Sequence, residues 1–185
     1  MTATRRIALL LAFLCTSAVY ASSMPVPVTV QLPLFTKIWK LDRTFPASTE
    51  VVIAIIYQES HGPSAIVKAQ VERWVATSGQ RIRCVAIAID DTASITVALN
   101  TVAADIFYIT PLRGADVGEI ARIARARHIK TNTGVPEYVD AGLSVAIDVR
   151  NDRPLIVINL AASRAEGSSF PAQLLELARL VDVPR

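Results

Sequence analysis

Cysteine and histidine are scarce in this chain, two of each among 185 residues, and that scarcity excludes the most. Cys15 falls in a leader expected to be removed, which leaves Cys84 with no partner for an internal disulfide. His61 and His128 lie far apart, and no Cys or His pair stands at ligand spacing, so no metal centre is predicted. Glycine is sparse as well, at seven residues, and Gly114 and Gly118 are not followed by the Lys and Ser/Thr of a phosphate loop. With Gly-x-Gly-x-x-Gly also missing, no nucleotide cofactor is expected. A Gly-x-Ser-x-Gly elbow is absent too. The serines and histidine of Gln58-Glu-Ser-His-Gly-Pro-Ser64 therefore read as a strand-to-helix turn, and the chain is not expected to be an enzyme.

A surplus of charge of one sign is lacking too. Lys and Arg number 19 against 16 Asp and Glu, and loss of Arg5 and Arg6 with the leader brings the mature chain near neutrality. That balance gives no pull toward nucleic acid. Arg122, Arg125, Arg127 and His128 fall at the end of a helical pattern, where cations complement the helix dipole. What is abundant is apolar residues, 52%, with 19% charged, which excludes a disordered chain and suffices for a sizeable core.

The beginning of the chain predicts export. Arg5-Arg6 precede an apolar run, Ile7 to Cys15, and Val19-Tyr20-Ala21 offers a peptidase its small residues. The run is shorter than the about 20 residues needed to span a bilayer. Leu14 stands where lipidation of Cys15 would need a small residue. A signal peptide over 1–21, a flexible linker over 22–27 and one domain over 28–185 are expected, with the mature protein periplasmic and not membrane-spanning.

Periodicity then sets the fold. Leu32, Phe35, Ile38 and Trp39 share one side of a first helix, with Pro33 expected in its first turn. Buried strands are expected at Glu50–Tyr57, Ile82–Ile89, Asp105–Thr110 and His128–Thr131. Helices between them are expected from Gly62 to Gly79, from Ser94 to Val102, and after Asp116, which caps with Glu119 in a capping box. Leu143 to Val149 alternates, Asn151-Asp152 turns, and Leu155 to Leu160 returns as a hairpin. A last helix capped by Ser168 or Ser169 would bury Leu174, Leu177, Ala178 and Val181. The result is a single three-layer α/β domain, a mostly parallel sheet flanked by helices with an antiparallel C-terminal hairpin.

In such a sheet, ligands meet the loops at the carboxyl ends of the strands. Those loops supply Glu59, His61, Asp90, Arg113, Asn132 and Thr133. The arrangement suits a small-molecule binding protein that feeds a transporter or sensor. A protein partner would instead need exposed apolar side chains, for which the outer sides of the first helix, near Phe35 and Ile38, and of the last, near Leu175, are candidates.

The C-terminal run Gly142-Leu-Ser-Val-Ala-Ile-Asp-Val, then Ile156-Val-Ile-Asn-Leu160, Ala161-Ala-Ser-Arg-Ala-Glu-Gly167 and Ser168-Ser-Phe-Pro-Ala-Gln-Leu-Leu-Glu-Leu-Ala-Arg-Leu-Val181 resembles the YfiR-like family of periplasmic regulatory proteins. Leu34-Phe-Thr-Lys-Ile-Trp39 and Gly134-Val-Pro resemble that family's first helix and middle loop. The resemblance implies a homodimer that binds the sensor part of an inner-membrane signalling protein, a diguanylate cyclase or a histidine kinase, and represses it. Cyclic-di-GMP synthesis would fall. On that reading Phe35, Trp39, Arg164 and Ser168 join Glu59, His61, Arg113 and Asn132 as partner- or ligand-binding residues. Val157 replaces an acidic residue that often precedes Ile-Asn-Leu, and Asn159 and Arg164 are expected to tie the hairpin to the last helix.

Overall fold

The structure is a computed structural model that describes residues 24–45, 50–90 and 95–181. The expected signal peptide, 1–21, lies outside the described residues, as do residues 22 and 23 of the expected linker. In the rest of that linker Val26 is buried and its carbonyl accepts from the Gln31 amide, while Pro25 and Pro27 are exposed.

Helix α1 (Val28–Leu41) leads into β1 (Val51–Tyr57), α2 (Gly62–Thr77), β2 (Ile82–Ala88), α3 (Ile95–Asn100), β3 (Ile106–Ile109), α4 (Val117–Arg127) and β4 (Lys130–Thr133). A 3₁₀ turn (Pro136–Val139) follows, then β5 (Val145–Arg150), β6 (Arg153–Asn159), α5 (Leu160–Ala165), α6 (Ala172–Leu177) and β7 (Arg179–Val181). The seven strands run in the order β2-β1-β3-β4-β5-β6-β7. All neighbours are parallel except β5 and β6. The expected α/β class and hairpin are therefore found.

Strand alternation divides the core in two. Ile53, Ile55, Ile106 and Tyr108 face α1 and α2, where Leu32, Phe35, Ile38, Trp39 and Val71 close the layer. Ala54, Ile56, Phe107 and Ile109 face α3 and α4, where Leu99, Ile120, Ala121 and Ala124 close it. The hairpin turn has positive φ at both Asn151 (51°) and Asp152 (58°), the two-residue turn whose twist matches the strands.

Six local expectations are corrected. Pro33 lies inside α1, one turn beyond its first, where its missing N–H leaves the Thr29 carbonyl without its helical donor. Strand β2 is an edge strand with partly exposed side chains, because the chain reverses after it and no strand among the described residues lies beyond. The fourth strand begins at Lys130, because His128 takes a left-handed conformation (φ 55°) that ends α4. Only half of the capping box forms: Asp116 accepts from the Glu119 N–H, while the Glu119 carboxylate binds Arg122 and Thr96. The last helix stops at Leu177, which is 73% exposed, and Arg179 to Val181 pairs with β6 as a strand. No serine caps it; Pro171 holds the cap position.

Candidate functional site

The chain passes from β1 outward to β2 and then back across β1 to β3, so the connections diverge between β1 and β3. The loops at the carboxyl ends of these two strands stand where doubly wound sheets bind ligands. Two side chains hold the second loop by imitating a strand neighbour. The Gln58 amide accepts from the Arg113 N–H (2.6 Å) and donates to the Arg113 carbonyl (3.0 Å). From the other side the Tyr138 hydroxyl accepts from the Leu112 N–H (2.8 Å) and donates to the Leu112 carbonyl (3.1 Å). Leu112 and Arg113 thus have both backbone groups satisfied, and the loop is fixed before any ligand arrives.

The first loop is fixed as firmly. Ser64 is wholly buried; its oxygen accepts from the Gln58 N–H (2.8 Å) and lies 2.6 Å from the Thr110 hydroxyl, which donates to the Ile56 carbonyl. The Asp90 carboxylate gathers the Glu59 and Ser60 N–H groups and the Ser60 hydroxyl, tying the loop after β1 to the end of β2. The Ser60 hydroxyl, with those two N–H groups, holds the Asp90 carboxyl below its usual range.

On this frame Glu59 and Arg113 are exposed and His61 is half-buried, so three of the expected residues lie on the two loops that follow β1 and β3. The other five are elsewhere. Phe35 stacks on Trp39 (6.5 Å) and meets Tyr108 edge-on (6.2 Å), and both residues are buried, as is Ile38. They are packed inside rather than presented to a partner, which corrects the expectation for the first helix. Asn132 is buried on β4 and accepts from the Trp39 indole (2.8 Å). Arg164 is exposed on α5, and Ser168 is buried, its N–H donating to the Ser163 carbonyl. Asn159 caps α5 by accepting from the Ala162 N–H, so Ile-Asn-Leu here ends the hairpin and starts a helix.

A second cluster, unread in the sequence, lies around Glu166. Its carboxyl is wholly buried and accepts from the Thr131 N–H (2.9 Å) and hydroxyl (2.7 Å). Burial pushes it up to about 7, against the polar Ser144 hydroxyl nearby and the hydrogen bonds from Thr131. Nearby, Asp42 accepts from the N–H groups of Thr44 and Ser169, and Lys130 stands 3.4 Å from its other oxygen. Burial raises the Asp42 carboxyl, but these hydrogen bonds and Lys130 outweigh it and hold it below its usual range. Such residues carry no motif; only contacts distant in sequence reveal them.

Among the described residues no three His, Cys, Asp or Glu gather as a metal site, and no helix is long and apolar enough to cross a membrane. The terminal arginines of α4 serve the fold: Arg127 donates to the Leu99 and Val102 carbonyls, and Arg125 to Gly142.

No family model and no curated protein matches the chain. Among solved structures it is similar to the ligand-free, open form of a substrate binding protein with adhesive properties from Clostridium difficile. That match has a TM-score of 0.63 at 14% identity, over 86% of this chain and 61% of the other. It is also similar to an ABC domain in complex with L-Trp from Streptococcus pneumonia, with a TM-score of 0.66 at 12% identity, over 84% and 62%. A conserved domain protein from Vibrio cholerae gives 0.63 at 14% identity, over 82% and 58%. At these identities the likeness shows a shared fold. The chain spans 58 to 62% of the length of these three proteins.

Proposed function

We propose that this protein is an exported binding protein that holds a small solute at the carboxyl ends of β1 and β3. The observation that carries this reading is the rigid rim at the sheet's point of divergence, in a fold shared with a substrate binding protein and an L-Trp-bound domain. The two loops offer an exposed Arg113 guanidinium and an exposed Glu59 carboxylate, with His61 half-buried on the first of them. Charges of opposite sign on held loops suit a small zwitterion, and amino acids, L-Trp among them, are the first probes. Because Gln58, Tyr138 and Asp90 already hold the loops, little ordering cost opposes binding.

A thermal-shift screen of the twenty amino acids tests this. A ligand at a hundred times its dissociation constant adds about 2.7 kcal/mol, a rise in Tm of roughly 5–10 °C. Arg113→Ala and Glu59→Gln should abolish that rise while leaving the ligand-free Tm within about 2 °C, since both side chains are exposed. No rise with any amino acid would defeat the zwitterion reading.

The second reading is the regulator that the YfiR-like resemblance implies, periplasmic and dimeric, bound to a membrane cyclase or kinase. It is favoured by the resemblance within residues 142–181 and by apolar side chains left exposed there, Val149, Leu177 and Leu180. Co-purification of such a membrane protein, lost on Leu180→Asp, supports it; unchanged cyclic-di-GMP on deletion counts against a cyclase as the partner.

A further inference from the structure

Glu166 sits where a rung of the sheet is missing. β4 and β5 pair at Asn132 with Val145 and at Thr133 with Ala146. One residue earlier, the Thr131 N–H turns to the Glu166 carboxyl, and side chains complete the join: the Ser144 N–H donates to Thr131 Oγ1 (2.7 Å) and the Ser144 hydroxyl to the Thr131 carbonyl (2.7 Å). The segment that carries Glu166 also holds the end of α1. Ser169 N–H donates to Asp42, Arg43 N–H donates to the Ser169 carbonyl, and the Thr44 hydroxyl lies 2.7 Å from the Gly167 carbonyl. Four residues, Glu166 to Ser169, therefore clasp β4, the start of β5 and α1 together.

The same heavy atoms satisfy two placements of the hydrogens. With Glu166 ionised, the Thr131 N–H and O–H each donate to one carboxylate oxygen. With Glu166 protonated, its O–H donates to Thr131 Oγ1, and the Thr131 hydrogen swings to Ser144 Oγ, 3.1 Å away. Thr131 Oγ1 then accepts twice, from Ser144 N–H and from the acid, which its two lone pairs allow. Nothing else need move. The charged form, however, is wholly buried and takes part in none of the ion pairs among the described residues.

The charged groups around it do not remove that cost. Arg125 on α4 acts on Glu166 through space, but its guanidinium is bonded to the Gly142 carbonyl. Lys130 on β4 is paired with Asp42 beyond α1. His128 at the end of α4 stands beside Gly167, and Arg164 on α5 is exposed.

We propose that Glu166 is a proton switch built into the fold: gaining a proton closes, and losing it loosens, the clasp that Glu166 to Ser169 make on β4, β5 and α1. Opening exposes the carboxyl to water, which solvates the charge that the closed clasp does not. A carboxyl held at about 7 when closed and near its ordinary 4.5 when open makes the closed state fully favoured below 4.5 and progressively less so up to about 7.

Amide exchange at Thr131, Ser168 and Ser169, corrected for the intrinsic rate, tests this on the whole protein. The fraction open should rise about tenfold per pH unit between roughly 5 and 7 and level off above. Glu166→Gln should be flat, and His128→Asn, which tolerates the left-handed backbone, should keep the rise. A flat wild-type profile, or a rise lost with His128→Asn and kept by Glu166→Gln, overturns the proposal. If Glu166→Gln does not fold, Arg125→Gln decides. Removing the cation that favours the charged form should move the levelling point to higher pH, and an unmoved point overturns the proposal.

Discussion

At the scale of single residues, the polar groups inside this protein are paired over long sequence distances. Tyr108 donates to Gln31 (2.9 Å), Trp39 to Asn132, and Asp42 accepts from Ser169. Buried donors and acceptors cost more to leave unpaired than their bonds contribute, so such partners specify where α1 lies. Asp42 is the sharpest case: Oδ1 accepts from Thr44 and Ser169, while buried Oδ2 has no hydrogen bond and faces only the Lys130 charge, the two side chains being 1% and 13% exposed. Asp42→Asn leaves the ammonium without its counter-charge and should cost on the order of 3 kcal/mol in urea unfolding at pH 7. A group held below its usual range contributes stability above its ordinary 3.8, lost as pH falls through the lowered value. Wild type and variant should therefore converge in acid. A constant gap down to pH 2 would show that packing, not charge, was lost. None of these pairs was legible in the sequence, since nothing local marks Gln31 as the partner of Tyr108.

Elements were legible where local chemistry and burial agree. The hairpin is one: alternation over 143–149, a turn-forming Asn151-Asp152, and an apolar return run from Leu155 to Leu160 all point the same way, and β5 and β6 pair from Val145 with Ile158 to Arg150 with Arg153. Because Asp152 holds φ at 58°, Asp152→Gly should stabilise the protein by about 0.5 kcal/mol, and Asp152→Val should destabilise it by more. Chemical denaturation of the three proteins checks the order, and equal midpoints would mean the turn is not the constraint. The C-terminal helix was misread for the opposite reason. Leu174, Leu177, Ala178 and Val181 have helical spacing, yet β6 offers an open edge, and backbone pairing with Arg179–Val181 wins over one more helical turn. Helical propensity is a weak preference beside an unpaired strand edge.

At the scale of the whole molecule, position in the sheet ranks the strands. β3 is interior and buried along its length, while β2 lies at the edge with Arg83, Ala86 and Ala88 exposed. Amides of Ile106 to Ile109 should exchange only through global unfolding, and the outward-facing amides of Ile82 to Ala88 far faster. Equal protection would mean that another chain covers the β2 edge. Order also decides the candidate site. The rim at Glu59, His61 and Arg113 exists because β1 and β3 are neighbours and β2 lies outside them, a fact that no stretch of sequence contains.

The sequence by itself determined the alternation of strands and helices, the parallel sheet with its closing hairpin, and the polar residues that end the first and third strands. These follow from periodicity and turn chemistry, which act between neighbours along the chain. Only the tertiary structure decided which strand lies at the edge, that Phe35, Trp39 and Asn132 are interior, and that Gln58 and Tyr138 hold one loop from both sides. It alone also placed Glu166 against Thr131. Those outcomes depend on contacts between segments tens of residues apart, where burial and hydrogen-bond satisfaction, rather than local propensity, select among arrangements.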